Sequence, residues 1–294
     1  MAQQTHQTSR RPTESAERSL SGFVASTLEE ESQRALELER GKNTRWSRGP
    51  AATAGVVCGL VVVLASFWLN LLGGLALGLL TGLFVGFFVA RFAPTAVVSN
   101  LGAAPLEPEA LPRVELLLNG LSATMGVATP SIAVLDDPIA NACIYLHRKQ
   151  STVVITSGLL SALSLVELEG VLAHLLAHLR LESVRRGTAG AGYALMLGAM
   201  GRRGGLAHRL IGRGRLYRAD QVAVRTVRYP QGLAGALAKM EQGPRPAPGS
   251  YFASSSYQSL RWLFVDPSIG RRARADELGD LDATATRRQV LEEL

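Results

Sequence analysis

Apolar and polar positions fall into three regimes along this chain. Between Arg48 and Arg91 no residue is charged, and the segment is built from long apolar runs. As a single helix it would extend about 60 Å at roughly 1.5 Å per residue, twice the roughly 30 Å hydrocarbon core of a bilayer. The pattern therefore predicts a transmembrane helical hairpin over 51–92, with helices at about 51–69 and 72–90 and a tight turn near Asn70. Gly74, Gly78, Gly82 and Gly86 recur every fourth residue on one face. That spacing allows two helices to approach closely, here to pack the hairpin on itself. The hairpin starts too far into the chain, and is too long, for a cleaved signal peptide.

The flanks differ from it in kind. Residues 1–50 form a polar arm, aperiodic and disordered over 1–18 by pattern, with a short amphipathic helix expected over 28–40 around Leu36. From 93 to 275 the pattern is that of a globular domain. Val114, Leu117, Leu118 and Leu121 at helical spacing predict a helix over 112–125. Three short runs rich in β-branched residues, 131–135, 142–146 and 152–156, predict strands, and a short helix follows over 159–163. Ser164 and Glu167 form a capping box that opens a long helix expected to reach about Arg186. The uncharged run 187–201 is too short to span and reads as a buried, interfacial or re-entrant helix. Residues 276–294 read as a mixed-charge tail with a helix expected near its finish.

Composition narrows this picture. With 294 residues, 47% hydrophobic, 19% charged and only two cysteines, the chain is no disulfide scaffold, collagen-like repeat or disordered polymer. Arg40, Lys42, Arg45 and Arg48 precede the hairpin and Arg91 follows it. The positive-inside rule then predicts a multi-pass protein of the inner (plasma) membrane with both termini cytoplasmic. The formal charge of +7 is concentrated in 202–228, where eight arginines, among them Arg202, Arg203, Arg209, Arg213, Arg215 and Arg218, face one acid, Asp220. Three readings of this basic patch stand open: contact with anionic lipid or an acidic protein partner, a solvated face, or nucleic acid. The last is disfavoured by the scarcity of aromatics for stacking bases.

One pair of residues suggests chemistry. His174 and His178 stand four apart on the long helix, hence on one face, the spacing at which two imidazoles can share a metal. Alone, such a pair reads first as two partly buried structural histidines. Cys143, in a predicted strand, looks structural, and Cys58 lies inside the membrane segment.

Asn141-Ala142, the run 152–163, the 163–180 segment with its two histidines, 217–220 and Asp266-Pro267 occur together, in order, behind a membrane hairpin. This set resembles the HtpX-type membrane zinc metallopeptidases over about 110–275. The resemblance implies an α+β, zincin-like metallopeptidase domain, helices with a small sheet, whose H-E-x-x-H helix and a later Glu bind zinc. It implies His174 and His178 as remnant metal ligands and Asp220 as the aspartate that supports the site from behind them. It also implies that the strand at Asn141, Ala142 and Cys143 is an edge able to pair with an extended peptide; cover by the chain itself is an equal alternative.

The match fails where the chemistry lies. Leu175 holds the position of the general-base Glu, and Leu216 that of the third ligand. Leucine accepts no proton and binds no cation, and loss of the base alone removes about 10²–10⁴-fold of rate. The two leucines are expected to come together and fill the former site. The expectation is a pseudopeptidase without catalytic residues or a zinc cofactor, acting as a scaffold or regulatory subunit for a membrane-protein or peptide partner. Two alternatives remain: an active zinc endopeptidase with rearranged ligands, and a binding module for anionic lipid or acidic partners.

Overall fold

The computed structural model describes residues 12–66, 71–106, 110–196, 211–269 and 281–294. The chain divides into two compact units, 1–42 and 43–294. Helix α1 (Pro12–Ser47) contains the helix expected over 28–40 and extends it both ways, at its start into residues expected to be disordered. Its sequence is dense in the good helix formers Glu, Leu, Ala and Arg. Pairs such as Glu30–Arg34, 3.5 Å apart at i,i+4, add modest support.

In the second unit the end of α1 leads into the hairpin. Helices α2 (Gly49–Ser66) and α3 (Leu71–Leu101) pack closely along glycines. A Cβ on Gly55 would stand 2.4 Å from the Gly82 carbonyl oxygen, and one on Gly59 would stand 2.6 Å from that of Gly78. The backbones therefore touch directly, which only glycine permits. Both helices are long and apolar enough to cross a membrane, and Val56, Leu60, Leu64, Leu83, Phe84 and Phe87 are exposed. The last turns of α3 differ. Ala93, Val97 and Leu101 are buried, so one helix begins in the apolar segment and ends inside the globular core.

A four-stranded mixed sheet of order β1-β2-β4-β3 forms the centre: β1 (Ala104–Pro105), β2 (Ser131–Leu135), β3 (Ala142–His147) and β4 (Gln150–Thr156). β2 and β4 run parallel, while β1 pairs with β2, and β3 with β4, antiparallel. One apolar cluster joins the sheet to α4 (Pro112–Met125), α6 (Leu165–Arg180) and α9 (Pro230–Glu241). A second joins its other side to α3, to α7 (Ser183–Met196) and to α10 (Ser255–Leu260). α5 (Ser157–Ala162) follows β4, and α8 (Arg215–Val227) packs on α6.

Two boundaries differ from the pattern-based reading. The helix expected to run from Ser164 to about Arg186 breaks at Leu181 and Glu182, whose φ of 52° lies in the left-handed region. There Asn43 Nδ2 donates to the Leu181 carbonyl (3.0 Å), satisfying a group the broken helix leaves open. The uncharged run 187–201 is helical as far as Met196 and buries Gly187, Thr188, Ala191 and Ala194, and a Cβ on Gly192 would meet the Ala93 carbonyl at 2.0 Å; residues 197–201 lie outside the described set. In the segment read as a tail, α11 (Thr284–Glu292) packs on α9 and buries Thr284, Arg287 and Leu291. Alternating charge hides that inward face.

Candidate functional site

Four elements converge on the histidine pair. The capping box is formed: Ser164 Oγ accepts from Glu167 N (3.4 Å), and Ser164 N donates to Glu167 (2.7 Å). It fixes the start of α6, which carries His174 and His178 on its inner face. Both are 0% exposed, their rings edge to face with centroids 4.9 Å apart.

Each imidazole is held through Nδ1. His174 Nδ1 lies 2.6 Å from Asp220 Oδ1 on α8. His178 Nδ1 lies 2.8 Å from Ser183 Oγ, which the break after α6 turns back towards it. Asp220 is also gripped by Arg287 from α11, with Nε 2.5 Å from Oδ2 and Nη2 2.8 Å from Oδ1. The remaining Nη1 of Arg287 donates to the Val265 carbonyl.

Burial alone would raise the Asp220 pKa, but the Arg287 guanidinium and His174 together hold it below the usual carboxylate range. Burial lowers the His174 pKa, with Asp220 partly opposing. It lowers that of His178 well below the ordinary value, helped by the charge of Arg215. Both histidines are thus neutral beside an ionised aspartate. An ionised carboxylate can only accept, so the His174 Nδ1 carries the proton and its Nε2 keeps a lone pair. The Nε2 atoms of both histidines are buried without a hydrogen-bond partner among the described residues.

Two orphaned imidazole nitrogens are what a lost metal would leave, so the donor set decides whether zinc fits. A catalytic zinc site takes three protein ligands and water. Leu175 and Leu216 are 0% and 1% exposed and supply no donor. Among the described residues no three His, Cys, Asp or Glu groups come together to hold a metal. Asp220, the candidate for a rearranged ligand, is committed to Arg287 and His174. The described residues do not supply the three ligands of a catalytic zinc ion. The leucines do not share one space either: Leu175 packs in the cluster of α4, α6 and α9, and Leu216 in that of α3, α7 and α10.

The candidate peptide edge is closed. Asn141, Ala142 and Cys143 are at most 1% exposed. The chain just after the Arg261–Leu263 turn lies along β3: Cys143 bridges Phe264 antiparallel, and Val265 N donates to the Ala142 carbonyl (2.9 Å). Asn141 locks this segment, Oδ1 accepting from Asp266 N (3.1 Å) and Nδ2 donating to the Asp266 carbonyl (2.8 Å). Further along β3, Leu146 N donates to Thr188 Oγ1 (3.0 Å). At Asn141–Cys143 the outward main-chain groups of Ala142 are thus met by the chain itself, the second of the two alternatives the sequence leaves open.

The basic patch also divides. Arg202, Arg203 and Arg209 lie outside the described residues. Arg213 is exposed, and half-buried Arg218 donates to its carbonyl (3.1 Å). Arg215 points inward instead: it is 2% exposed and donates to the Trp262 carbonyl (2.6 Å). Gly187, lacking a Cβ, leaves room for its guanidinium. Burial brings its pKa down to about 10, with Asp282 opposing. Asp282 caps α8 from a distance, accepting from Gly214 N (2.6 Å) and Leu216 N (2.8 Å). Arg287, Asp282 and Ser183 went unremarked in the sequence because no local motif marks them; each acts on a residue far away or across a helix break.

Comparison with known proteins bears on this arrangement. Residues 109–277 match Peptidase family M48. A protein named Protease HtpX homolog from Dictyoglomus thermophilum is 33% identical over 172 residues, which cover 47% of this chain and 57% of that protein. One of the same name from Tropheryma whipplei (strain Twist) is 32% identical over 179 residues, covering 49% and 62%. A third, from Caldanaerobacter subterraneus subsp. tengcongensis, is 27% identical over 224 residues, covering 60% and 75%. The chain thus spans less than two thirds of the length of the first two relatives. Arg287 lies beyond the matched segment.

Proposed function

The chain belongs to Peptidase family M48, and from that premise we propose that it is a membrane-anchored, non-catalytic member whose fold serves as a scaffold or regulatory subunit for a membrane-protein partner. The observation that carries the reading is the closure of the site around an incomplete donor set. Peptide hydrolysis in such a fold needs an open cleft, a metal and a base. Here both histidines are fully buried, Leu175 and Leu216 stand at the base and third-ligand positions, and 264–266 occupies the strand edge. The Arg287–Asp220–His174 network orients His174 through Nδ1 and supplies no third ligand, because Asp220 is held by Arg287.

With the edge closed, a partner engages another surface, and the membrane hairpin and exposed helix faces are the parts left to it. The proposed setting is the inner membrane, with the globular domain and both termini on the cytoplasmic side. The test is cleavage of casein by the purified full chain with zinc added, beside a His174→Ala control. No difference between the two supports the reading. Zinc-dependent cleavage that His174→Ala abolishes restores the peptidase with rearranged ligands. Co-purification from native membranes then identifies the partner.

A further inference from the structure

The β3–β4 hairpin ends in a two-residue turn, Arg148-Lys149, with His147 paired to Gln150. Both turn residues have positive φ, 46° and 71°. A two-residue turn of this hand is the I′ type, which favours Asn-Gly because side chains strain there. Two long cations hold it instead, both exposed and neither in an ion pair among the described residues. Strained positions kept in a costly residue type mark places where that side chain has a use.

The tip has a definite place relative to the apolar helices. Gly86 faces the Ala51 carbonyl, Gly82 faces Gly55 and Gly78 faces Gly59, so α2 and α3 run antiparallel. Arg48 and Arg91, which bracket the charge-free segment, therefore lie at the same end of the hairpin. Gly192 of α7 rests on the Ala93 carbonyl of α3, two residues past Arg91. One helical turn back on α7, Thr188 accepts from Leu146 N, next to the tip. The contacts Ala93–Gly192 and Thr188–Leu146 thus link the tip, through α7, to the end of the apolar segment that carries Arg91. The pKa of His147 agrees: burial lowers it first, then the charges of Arg148 and Arg91. No carboxylate occurs in 71–101 or 138–156 to neutralise this group.

We propose that Arg148 and Lys149, with Arg91, form a cationic contact that docks the globular domain onto anionic phospholipid headgroups of the bilayer its own hairpin spans. The turn holds two cations at the level where the apolar helices end. A bilayer surface is the partner that this level provides, and its acidic headgroups supply the missing counter-charge. Near such a surface a Lys or Arg contributes enough for about a fivefold gain in affinity, so the two tip residues together give about 30-fold. The contact is independent of the histidine site and of whether the chain hydrolyses peptides.

The experiment titrates the detergent-solubilised full chain with phosphatidylglycerol or phosphatidylcholine and counts bound lipid by native mass spectrometry. The decisive variant is Arg148→Asn/Lys149→Gly, which removes both charges while installing the pair the turn prefers, so the hairpin keeps its fold. The variant is expected to lose about 30-fold in phosphatidylglycerol affinity, with phosphatidylcholine unchanged and thermal stability equal or higher. Arg91→Gln is expected to lose about fivefold. A control of equal charge change at exposed sites outside the tip, Arg113→Gln/Arg225→Gln, should retain nearly wild-type affinity. Unchanged phosphatidylglycerol affinity in the tip variant, or an equal loss in the control, overturns the proposal.

Discussion

Replacing Arg287 by methionine removes the guanidinium that grips Asp220 at both oxygens, while keeping the length and much of the volume of the side chain. Asp220 is then left buried with His174 Nδ1, 2.6 Å away, as its remaining side-chain hydrogen-bond partner among the described residues. Breaking a buried ion pair from one side costs about 3–5 kcal/mol, because the surviving charge loses its compensation. For a domain of this size the expected fall in Tm is roughly 6–20 °C. The assay is thermal unfolding of the full chain in detergent, repeated for Asp220→Asn and for the double variant. Removing both charges should cost less than removing Arg287 alone, giving a coupling of the sign expected for a charge pair.

The pH dependence supplies a second arm. In the wild type the folded Asp220 pKa lies below its unfolded value. Its contribution is therefore present above the unfolded carboxylate range and is lost as pH falls through the folded pKa. In Arg287→Met the cation is gone, burial dominates, and the folded pKa rises above the unfolded one. The variant should then lose stability relative to wild type as pH rises through the carboxylate range, so that the two curves converge in acid. A loss below about 1 kcal/mol, strictly additive variants, or parallel pH curves would refute the view that Arg287 neutralises this site.

Other outcomes follow from the same contacts. Leu216→Glu supplies a third donor position: without metal it should lower the Tm, as a carboxylate is buried among apolar groups, and added zinc should recover the loss in calorimetry while leaving the wild type unmoved. Gly59→Val would press a side chain onto the Gly78 carbonyl, 2.6 Å from its Cβ. It should destabilise the hairpin by roughly 1–3 kcal/mol in detergent-denaturant unfolding, whereas Gly41→Ala, with open space around it, should not. Ser164→Ala removes the cap of α6 and should cost about 1 kcal/mol by the same measurement, with Ser164→Asp recovering most of it.

Much of the scaffold was legible because local signals were strong. The charge-free run, the glycine spacing, the capping box at Ser164 and Glu167, and the strand at 131–135 each depend on neighbours in sequence, and each appears in the fold. The family could be read from ordered motifs, and the expected membership agrees with the match to Peptidase family M48. What escaped depends on distant partners. Nothing near Arg287 announces that it crosses the domain to reach Asp220. The break at Glu182 needs Asn43, which lies in another helix, to satisfy the open carbonyl. Arg215 looked like part of a basic surface because charge runs are usually solvated, yet Gly187 and the Trp262 carbonyl draw it inside. The strand at Asn141–Cys143 reads as an edge until 264–266 is seen lying along it. Tertiary closure, not local propensity, decides those positions.

The central claim is that the histidine pair no longer forms a zinc site, and metal stoichiometry tests it most directly. The full chain, purified without chelators from cells grown with zinc, is assayed by inductively coupled plasma mass spectrometry beside His174→Ala and Leu216→Glu. The account predicts far less than one zinc per chain in wild type, the same in His174→Ala, and a rise in Leu216→Glu. One zinc per wild-type chain, lost in His174→Ala, would contradict it.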